Sequence, residues 1–234
     1  MTIYILVFLI GAAIGSFLNV CIYRIPAGGS IVFPPSHCPS CKARIRFYDN
    51  IPIISYLLLR GRCRQCKSLI SPRYPIVESI NGIGYLLLLY EFGLGWSLLA
   101  YSVFFSSLIA LTFIDLSHQI LPDLITLPGI IVGLIAASSV LPAGMINSII
   151  GVFLGGGAFY LAAVLSRGGM GGGDIKLIAM IGAFLGWRDV LLTIFIGALT
   201  GSLVGIFLVL FKGKKRKDPI PFGPFLAAGA VISV

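Results

Sequence analysis

The sequence predicts an all-α, polytopic membrane protein with about eight transmembrane helices. Of its 234 residues, 58% are hydrophobic and only 11% are charged, which is too little charge to cover the surface of a soluble domain. Apolar runs close to the ~20 residues that cross a bilayer as a helix recur along the whole chain. A soluble core is excluded, because at most one or two such runs fit inside one.

The predicted spans follow these runs in order. The first run has no basic residue before it and ends at Arg24, which predicts a spanning helix with its N-terminus outside rather than a cleaved signal peptide. Glycines along the later runs suit close helix packing in lipid. The sixth run is short, which predicts a tilted or half-buried helix entered through a glycine-rich turn. The spans are 3–23, 75–91, 96–114, 124–141, 145–166, 174–187, 189–211 and 220–234.

The basic residues are sorted by loop. A formal net charge of +9 could indicate a nucleic-acid partner, yet all but one of the 17 lysines and arginines fall in three loops. These are the first loop, the loop that contains Arg167 and Lys176, and the segment Lys212–Lys217. Eight spans put all three loops on the cytoplasmic side, as the positive-inside rule requires, and leave only Arg188 outside. The sequence therefore predicts both termini outside, a lipid bilayer around the helices and no nucleic acid.

Two C-x-x-C pairs lie in the first cytoplasmic loop, residues 24–74: Cys38-Pro-Ser-Cys41 and Cys63-Arg-Gln-Cys66. Four cysteines at this spacing are typical of a structural zinc site, and a long loop needs such a centre to fold around. Nearby arginines and lysines stabilise thiolates, and a reducing cytoplasm keeps them available. Two disulfides or redox pairs are the alternative. The fifth cysteine, Cys21, is predicted to pack as a small apolar residue.

Two aspartates lie at the ends of apolar runs. Asp115 closes the third predicted helix and Asp174 opens the sixth, both at the cytoplasmic end. An ionisable group at a helix centre in the membrane costs ~2.5–3.5 kcal/mol on insertion scales, so such residues indicate function. If the two helices are neighbours, the carboxylates can face each other and perform acid–base chemistry on a peptide bond.

Helix polarity makes the two acids unequal. The glycines before Asp174 allow a sharp turn that places this carboxylate at a helix N-terminus, which favours its ionised form. Asp115 lies at a helix C-terminus and should hold its proton more readily. On polarity alone, Asp174 is the base and Asp115 the acid. The alternative is that Asp174 is an N-cap and Asp115 a helix-end residue among lipid headgroups.

Two further polar residues follow Asp115. Asp123 comes after Pro122 at the start of the fourth predicted helix, where N-capping is its structural interpretation. His118 is predicted to lie at the headgroup interface, and contact with substrate is the alternative role.

Six segments resemble, in order and at fitting spacing, the motifs of the bacterial prepilin peptidases, also called type IV leader peptidases. The resemblance extends over essentially the whole chain. The segments are Gly15–Pro26, the paired C-x-x-C loop, Arg73–Glu78, Phe113–Asp123, Gly169–Lys176 and Pro219–Pro224.

The resemblance implies an intramembrane aspartic protease of the GxGD type in the bacterial inner membrane. Such enzymes remove the basic leader of prepilins and pseudopilins, the subunits of type IV pili and type II secretion systems. Cleavage follows a glycine at the cytoplasmic face, and many members then methylate the new N-terminus with S-adenosylmethionine. No glycine-rich nucleotide-binding fingerprint gives independent support for methyl transfer.

The resemblance also assigns roles to individual residues. The catalytic pair is Asp115 and Asp174. Supporting positions are Gly171, Gly173, Lys176 and Asp123. The zinc ligands are Cys38, Cys41, Cys63 and Cys66. Positions associated with methyl transfer are Gly15, Asn19, Arg24 and Glu78. Residues 1–92 would form the methyltransferase-associated region and residues 93–234 a six-helix peptidase region.

Two other functions compete with a peptidase. An ion-coupled transporter could use Asp115 and Asp174 as proton or cation ligands beside a glycine-broken helix, although no inverted repeat is visible. A non-catalytic zinc-loop scaffold for a secretion or pilus machine is the third, and it would not need both acids.

Overall fold

A computed structural model describes residues 2–166, 170–212 and 220–234. Arg167, the glycines 168–169 of the turn, Pro219 and the basic residues after Lys212 lie outside these ranges. The described part is all-helical, which confirms the predicted fold class. Its α-helices are α1 (Thr2–Arg24), α2 (Ile54–Leu58), α3 (Arg73–Phe92), α4 (Trp96–His118), α5 (Asp123–Ala137), α6 (Met145–Leu165), α7 (Gly172–Leu185), α8 (Trp187–Lys212) and α9 (Gly223–Ser233).

Each predicted span coincides with one of these helices, apart from differences of a few residues at the ends. Four of them are long and apolar enough to cross a membrane by themselves. These four are Thr2–Arg24, Trp96–His118, Gly144–Leu165 and Trp187–Phe211. The remaining four are shorter or more polar, so the count of eight spans remains a prediction.

The chain forms two compact units, Met1–Ala110 and Leu111–Val234, and the boundary falls within α4. In the first unit, α1 packs closely along α3. The Asn81 amide donates a hydrogen bond to the Gly11 carbonyl at 2.7 Å. Buried bonds of this kind stabilise helix pairs where no water competes for the polar groups.

In the second unit, α7 is the central helix. Every residue from Leu177 to Leu185 is buried, and α5, α6, α8 and α9 all pack against α7. A helix that is apolar on all sides is typical of a position inside a protein core or a membrane. Burial within the unit is complete beyond the first turns, and the tilted or half-buried arrangement of this short helix in the membrane stays a prediction. Because α7 is fixed by packing over its length, its first turn holds Asp174 in a defined place.

Candidate active site and metal centre

Asp115 lies in the last turns of α4 and is 5% exposed. The helix ends just beyond it, where Gln119 adopts a left-handed conformation (φ 54°) and donates its N–H to the Asp115 carbonyl at 2.8 Å. The carboxylate accepts a hydrogen bond from the backbone N–H of Gly223, with Oδ2 at 2.9 Å. The acid is therefore held by the first residue of α9.

Gly223 is a position that sequence reasoning missed. A Cβ atom built there would lie 2.8 Å from Oδ2 of Asp115, closer than real Cβ contacts come, so a side chain cannot be added without moving the acid. The only signal in the sequence is its place in the closing segment Pro219–Pro224. The contact also adds a donor to Asp115 that helix polarity alone does not include, so the assignment of base and acid stays a prediction.

Asp174 lies in the first turn of α7, with Gly171 at the N-cap position. Its own N–H donates to the Gly171 carbonyl at 3.1 Å, and its carboxylate hydrogen-bonds the Gly171 backbone. A residue in the first turn that reaches back to the cap position makes half of a capping box. The alternative that Asp174 is itself the N-cap is wrong, because the helix begins two residues earlier.

The structure brings the two acids, far apart in sequence, into one site. Their carboxylates lie close enough to interact electrostatically. Leu121 packs between the segments that present them. A Cβ on Gly173 would lie 2.8 Å from the Leu121 Cβ atom, and one on Gly223 would lie 3.3 Å from Leu121 Cδ2. Glycine is therefore required at position 173 for the backbone to approach Leu121, whereas at position 223 the prohibitive contact is the one with Asp115.

Asp123 and Lys176 form an ion pair beside this site. The Lys176 ammonium donates to both carboxylate oxygens of Asp123, at 2.6 and 2.8 Å. The N-cap position of α5 is Pro122, and no side chain caps this helix. The capping interpretation of Asp123 is therefore wrong, since its carboxylate binds Lys176 instead. The pair joins the start of α5 to the turn of α7 that carries Asp174. His118 lies exposed at the end of α4, and its role stays a prediction.

We expect Lys176→Met to slow substrate turnover at this site by about 1.4- to fivefold, the loss that an exposed ion pair of ~0.2–1 kcal/mol allows. The pair is half-exposed, at 39% and 57% for the two side chains, so folding should be little affected. The reversed pair, Asp123→Lys with Lys176→Asp, should recover much of the rate. A reversed pair as slow as the single variant would show that the contact has no positioning role.

The four loop cysteines form one cluster. Their Sγ atoms all lie within 4.8 Å of one another, and Cys38 and Cys66 Sγ are 3.8 Å apart. Tetrahedral zinc with bonds of ~2.3 Å places its sulfurs about 3.8 Å apart. None of the five cysteines is in a disulfide. A single set of four close sulfurs fits one zinc ion better than two redox pairs.

The two C-x-x-C segments have the same local fold. Lys42 donates its N–H to the Cys38 carbonyl at 2.9 Å, and Lys67 donates to the Cys63 carbonyl at 3.0 Å. Both lysines are left-handed, with φ of 60° and 58°. The backbone N–H of Cys41 lowers the pKa of the Cys38 thiol to about 6. The thiolate is the form that binds metal, so this turn prepares the cysteine as a ligand.

Purified protein is expected to contain about one zinc ion per chain, bound by all four cysteines. Cys63→Ser with Cys66→Ser should remove the ion, because it deletes half of the ligands. Cys21→Ala is the matched control and should keep it, since Cys21 is buried in α1. Elemental analysis of the three proteins tests this. Equal zinc in the double variant would exclude the site.

The four positions that the resemblance associates with methyl transfer lie in the first unit. A Cβ on Gly15 would lie 2.7 Å from the Glu78 Cα atom, so this glycine permits the contact of α1 with α3. The Asn19 amide donates to the Tyr74 carbonyl at 3.1 Å. The Arg24 guanidinium holds the following loop through the carbonyls of Ser30 and Pro34, at 3.0 and 2.7 Å. Glu78 lines a cavity of about 530 Å³ beside the cysteine loop, which the other three residues do not line.

Comparison with known proteins identifies relatives of both regions. Residues 9–92 match the model of the bacterial peptidase A24 N-terminal domain, and residues 102–206 match that of the type IV leader peptidase family. A "Prepilin leader peptidase/N-methyltransferase" of Pseudomonas aeruginosa is 36% identical over 97% of this chain and 88% of its own length. The chain belongs to the type IV leader peptidase family. This confirms the resemblance of the six segments.

Other members of the family match the chain with similar sequence identity and coverage. A protein of the same description from Legionella pneumophila is 36% identical over 99% of this chain and 90% of its own length. One from Myxococcus xanthus is 40% identical over 90% of this chain, and 64% of its length is covered. No solved structure matches the chain.

Proposed function

We propose that this member of the type IV leader peptidase family cleaves the leader of prepilins or pseudopilins and methylates the new N-terminus, in the bacterial inner membrane. One observation carries the peptidase half. Two aspartates from distant segments share a site, and a glycine backbone holds each of them. Family membership and the names of the relatives support both halves.

The site has the groups that peptide hydrolysis needs. One carboxylate takes a proton from water, whose oxygen attacks the scissile carbonyl carbon, while the other carboxyl group protonates the carbonyl oxygen. The resulting gem-diol collapses as the C–N bond breaks and the amine leaves with a proton. Asp115 and Asp174 would share these roles, and the bond cut would follow a glycine of the leader. The glycine backbone contacts fix both carboxylates before substrate binds, which reduces the cost of orientation.

The proposed orientation puts the acids at the cytoplasmic face and both termini outside. The distribution of lysines and arginines supports this orientation, because the basic loops then lie in the cytoplasm, as the positive-inside rule requires. A zinc ion held by Cys38, Cys41, Cys63 and Cys66 would have no open position and would stabilise the loop fold. S-adenosylmethionine would supply the methyl group for the second reaction.

Mass spectrometry of a prepilin co-expressed with the protein tests both halves together. We expect loss of the leader and one added methyl group on the new N-terminal amine. An uncut prepilin would overturn the peptidase, and pH-dependent ion flux into vesicles would then favour a transporter. A cut prepilin without the methyl group would restrict the function to cleavage.

A further inference from the structure

The short helix α2 has the reverse of the usual pattern of burial. Its serine, Ser55, is 6% exposed, and the hydroxyl donates to the Tyr48 carbonyl at 2.9 Å. Leu57 and Leu58 in the same helix are 67% and 78% exposed. Large apolar side chains that are exposed beside a buried polar one indicate a surface that a partner covers. The outer side of α2 therefore requires an apolar partner.

A hydrogen bond to α3 fixes the depth of α2 in the membrane. Ile53, the N-cap residue of α2, donates its N–H to Oε2 of Glu78 at 2.7 Å. Glu78 lies three residues inside the predicted span 75–91, about 4.5 Å along a helix axis at ~1.5 Å per residue. The start of α2 is therefore level with the end of that predicted span. The medium at this depth is the headgroup region of the bilayer.

Basic side chains border the apolar ones. The chain turns back directly after α2, where Arg60 donates its N–H to the Leu57 carbonyl at 3.0 Å. Arg62 then pairs with Leu69 in an antiparallel bridge, and Leu69 is 80% exposed. Arg60, Arg62 and Lys67 are exposed as well, and no ion pair in the described ranges includes any of the three. The surface is therefore apolar with a cationic border.

The charge of the loop distinguishes between candidate partners. Residues 24–74 contain nine lysines and arginines and one acid, Asp49, which is already paired with Arg64 at 2.6 Å. A second copy of this loop would be repelled, and so would a leader that is basic, as the resemblance implies. The cytoplasmic leaflet carries anionic lipids, which attract basic segments next to a membrane helix. Charge complementarity therefore favours lipid.

We propose that this surface lies on the cytoplasmic leaflet and binds anionic phospholipid headgroups. We call it the α2 face, and it consists of Leu57, Leu58, Leu69, Arg60, Arg62 and Lys67. The leucines would enter the boundary between headgroups and acyl chains, and the cations would bind lipid phosphates. This contact would hold the cysteine loop on the membrane and direct its positive charge towards lipid instead of a basic substrate. The inference goes beyond the two proposed reactions and rests on the proposed cytoplasmic position of the loop.

Amide hydrogen exchange of the wild-type chain tests the proposal without any variant. The purified full chain is placed, one copy per disc, in nanodiscs of phosphatidylcholine or of equal parts of phosphatidylcholine and phosphatidylglycerol. Amides of residues 54–62 should exchange at least about fivefold more slowly with phosphatidylglycerol, the equivalent of one basic residue at ~1 kcal/mol near an anionic surface. Equal exchange in both discs would overturn the proposal. Protection only with two copies per disc, or only after a prepilin is added, would overturn it in favour of that partner.

Charge variants separate the α2 face from the general charge of the loop. Arg60→Gln with Arg62→Gln should remove most of the difference in exchange between the two kinds of disc. The matched control, Lys42→Gln with Arg44→Gln, removes the same charge from the first cysteine pair and should keep the difference, because residues 38–44 include no large apolar side chain. An equal loss in both double variants would overturn the assignment to the α2 face.

A fluorescent side chain tests the apolar contact. Leu58→Trp is made together with Trp96→Phe and Trp187→Phe, so that the new side chain is the only tryptophan. Lipids with brominated acyl chains should quench most of its emission, and iodide in the aqueous phase should quench little. Quenching by iodide and not by brominated lipid would overturn the proposal. A prepilin cleaved and methylated by the wild-type chain would then leave the proposed function intact, so the two can fail separately.

Discussion

Asp174→Asn and Asp115→Asn should each abolish leader cleavage, with a loss of at least about 10²–10⁴-fold in rate, the usual contribution of a general acid or base. An amide can neither take a proton from water nor return one to the leaving amine. Its oxygen can still accept the backbone N–H of Gly171 or Gly223, so each variant should fold. The initial rate of leader removal from a purified prepilin measures the effect.

The matched control is Asp189→Asn. Asp189 lies half-buried in the first turn of α8, so the same group is removed from the same unit but outside the site. This variant should cleave at the wild-type rate. Both active-site variants should also keep their zinc and methylate a pilin whose leader was removed beforehand. Normal cleavage by either one would exclude the paired-aspartate mechanism.

Features fixed by local pattern could be predicted from the sequence. In lipid, every backbone N–H and C=O group must be hydrogen-bonded within the protein. An apolar run close to the ~20 residues that span a bilayer therefore forms a helix. Residues 96–114 were predicted on this basis, and α4 starts at the same residue, Trp96. The cluster of four cysteines could be predicted equally well, because a C-x-x-C motif brings two thiols together within one turn.

Features that depend on distant partners could not be predicted. The Gly223–Asp115 contact joins residues 108 positions apart, and Lys176–Asp123 joins residues 53 apart. Neither of these contacts produces a periodic pattern in the sequence. The capping interpretation of Asp123 failed for the same reason, because a local rule took no account of the ammonium that α7 brings to this carboxylate.

The turns of the cysteine loop show a second reason why some features could not be predicted from the sequence. Lys42 and Lys67 adopt positive φ, although lysine has no intrinsic preference for that region. Each lysine directly follows the second cysteine of its pair, so the conformation follows from bringing the two cysteines of each pair together and not from the propensity of the residue that bends. Propensity alone would place glycine or asparagine at these positions.

Gly223→Ala should lower the turnover number for leader cleavage by about 10- to 100-fold and leave the Michaelis constant nearly unchanged. The new Cβ would lie 2.8 Å from Asp115 Oδ2 and 3.3 Å from Leu121 Cδ2, so the carboxylate must move. A displacement of ~1 Å at a catalytic group can cost about 10²-fold in rate. The loss should appear in turnover because the reacting group is displaced while the rest of the substrate site is retained.

Alanine substitutions at two other glycines provide a comparison for the effect of Gly223→Ala. Gly171→Ala should have a smaller effect, because its Cβ would lie 3.2 Å from Asp174 Oδ2, a distance that a shift of a few tenths of an ångström relieves. Gly157→Ala should have none, since no atom lies within 4 Å of a Cβ there and α6 tolerates alanine better than glycine. The expected order of turnover is therefore Gly157→Ala, then Gly171→Ala, then Gly223→Ala. If Gly223→Ala turned over as fast as Gly157→Ala, the bond from α9 to Asp115 would have no part in catalysis. The geometry of the acid pair would then have to depend on α4 and α7 alone.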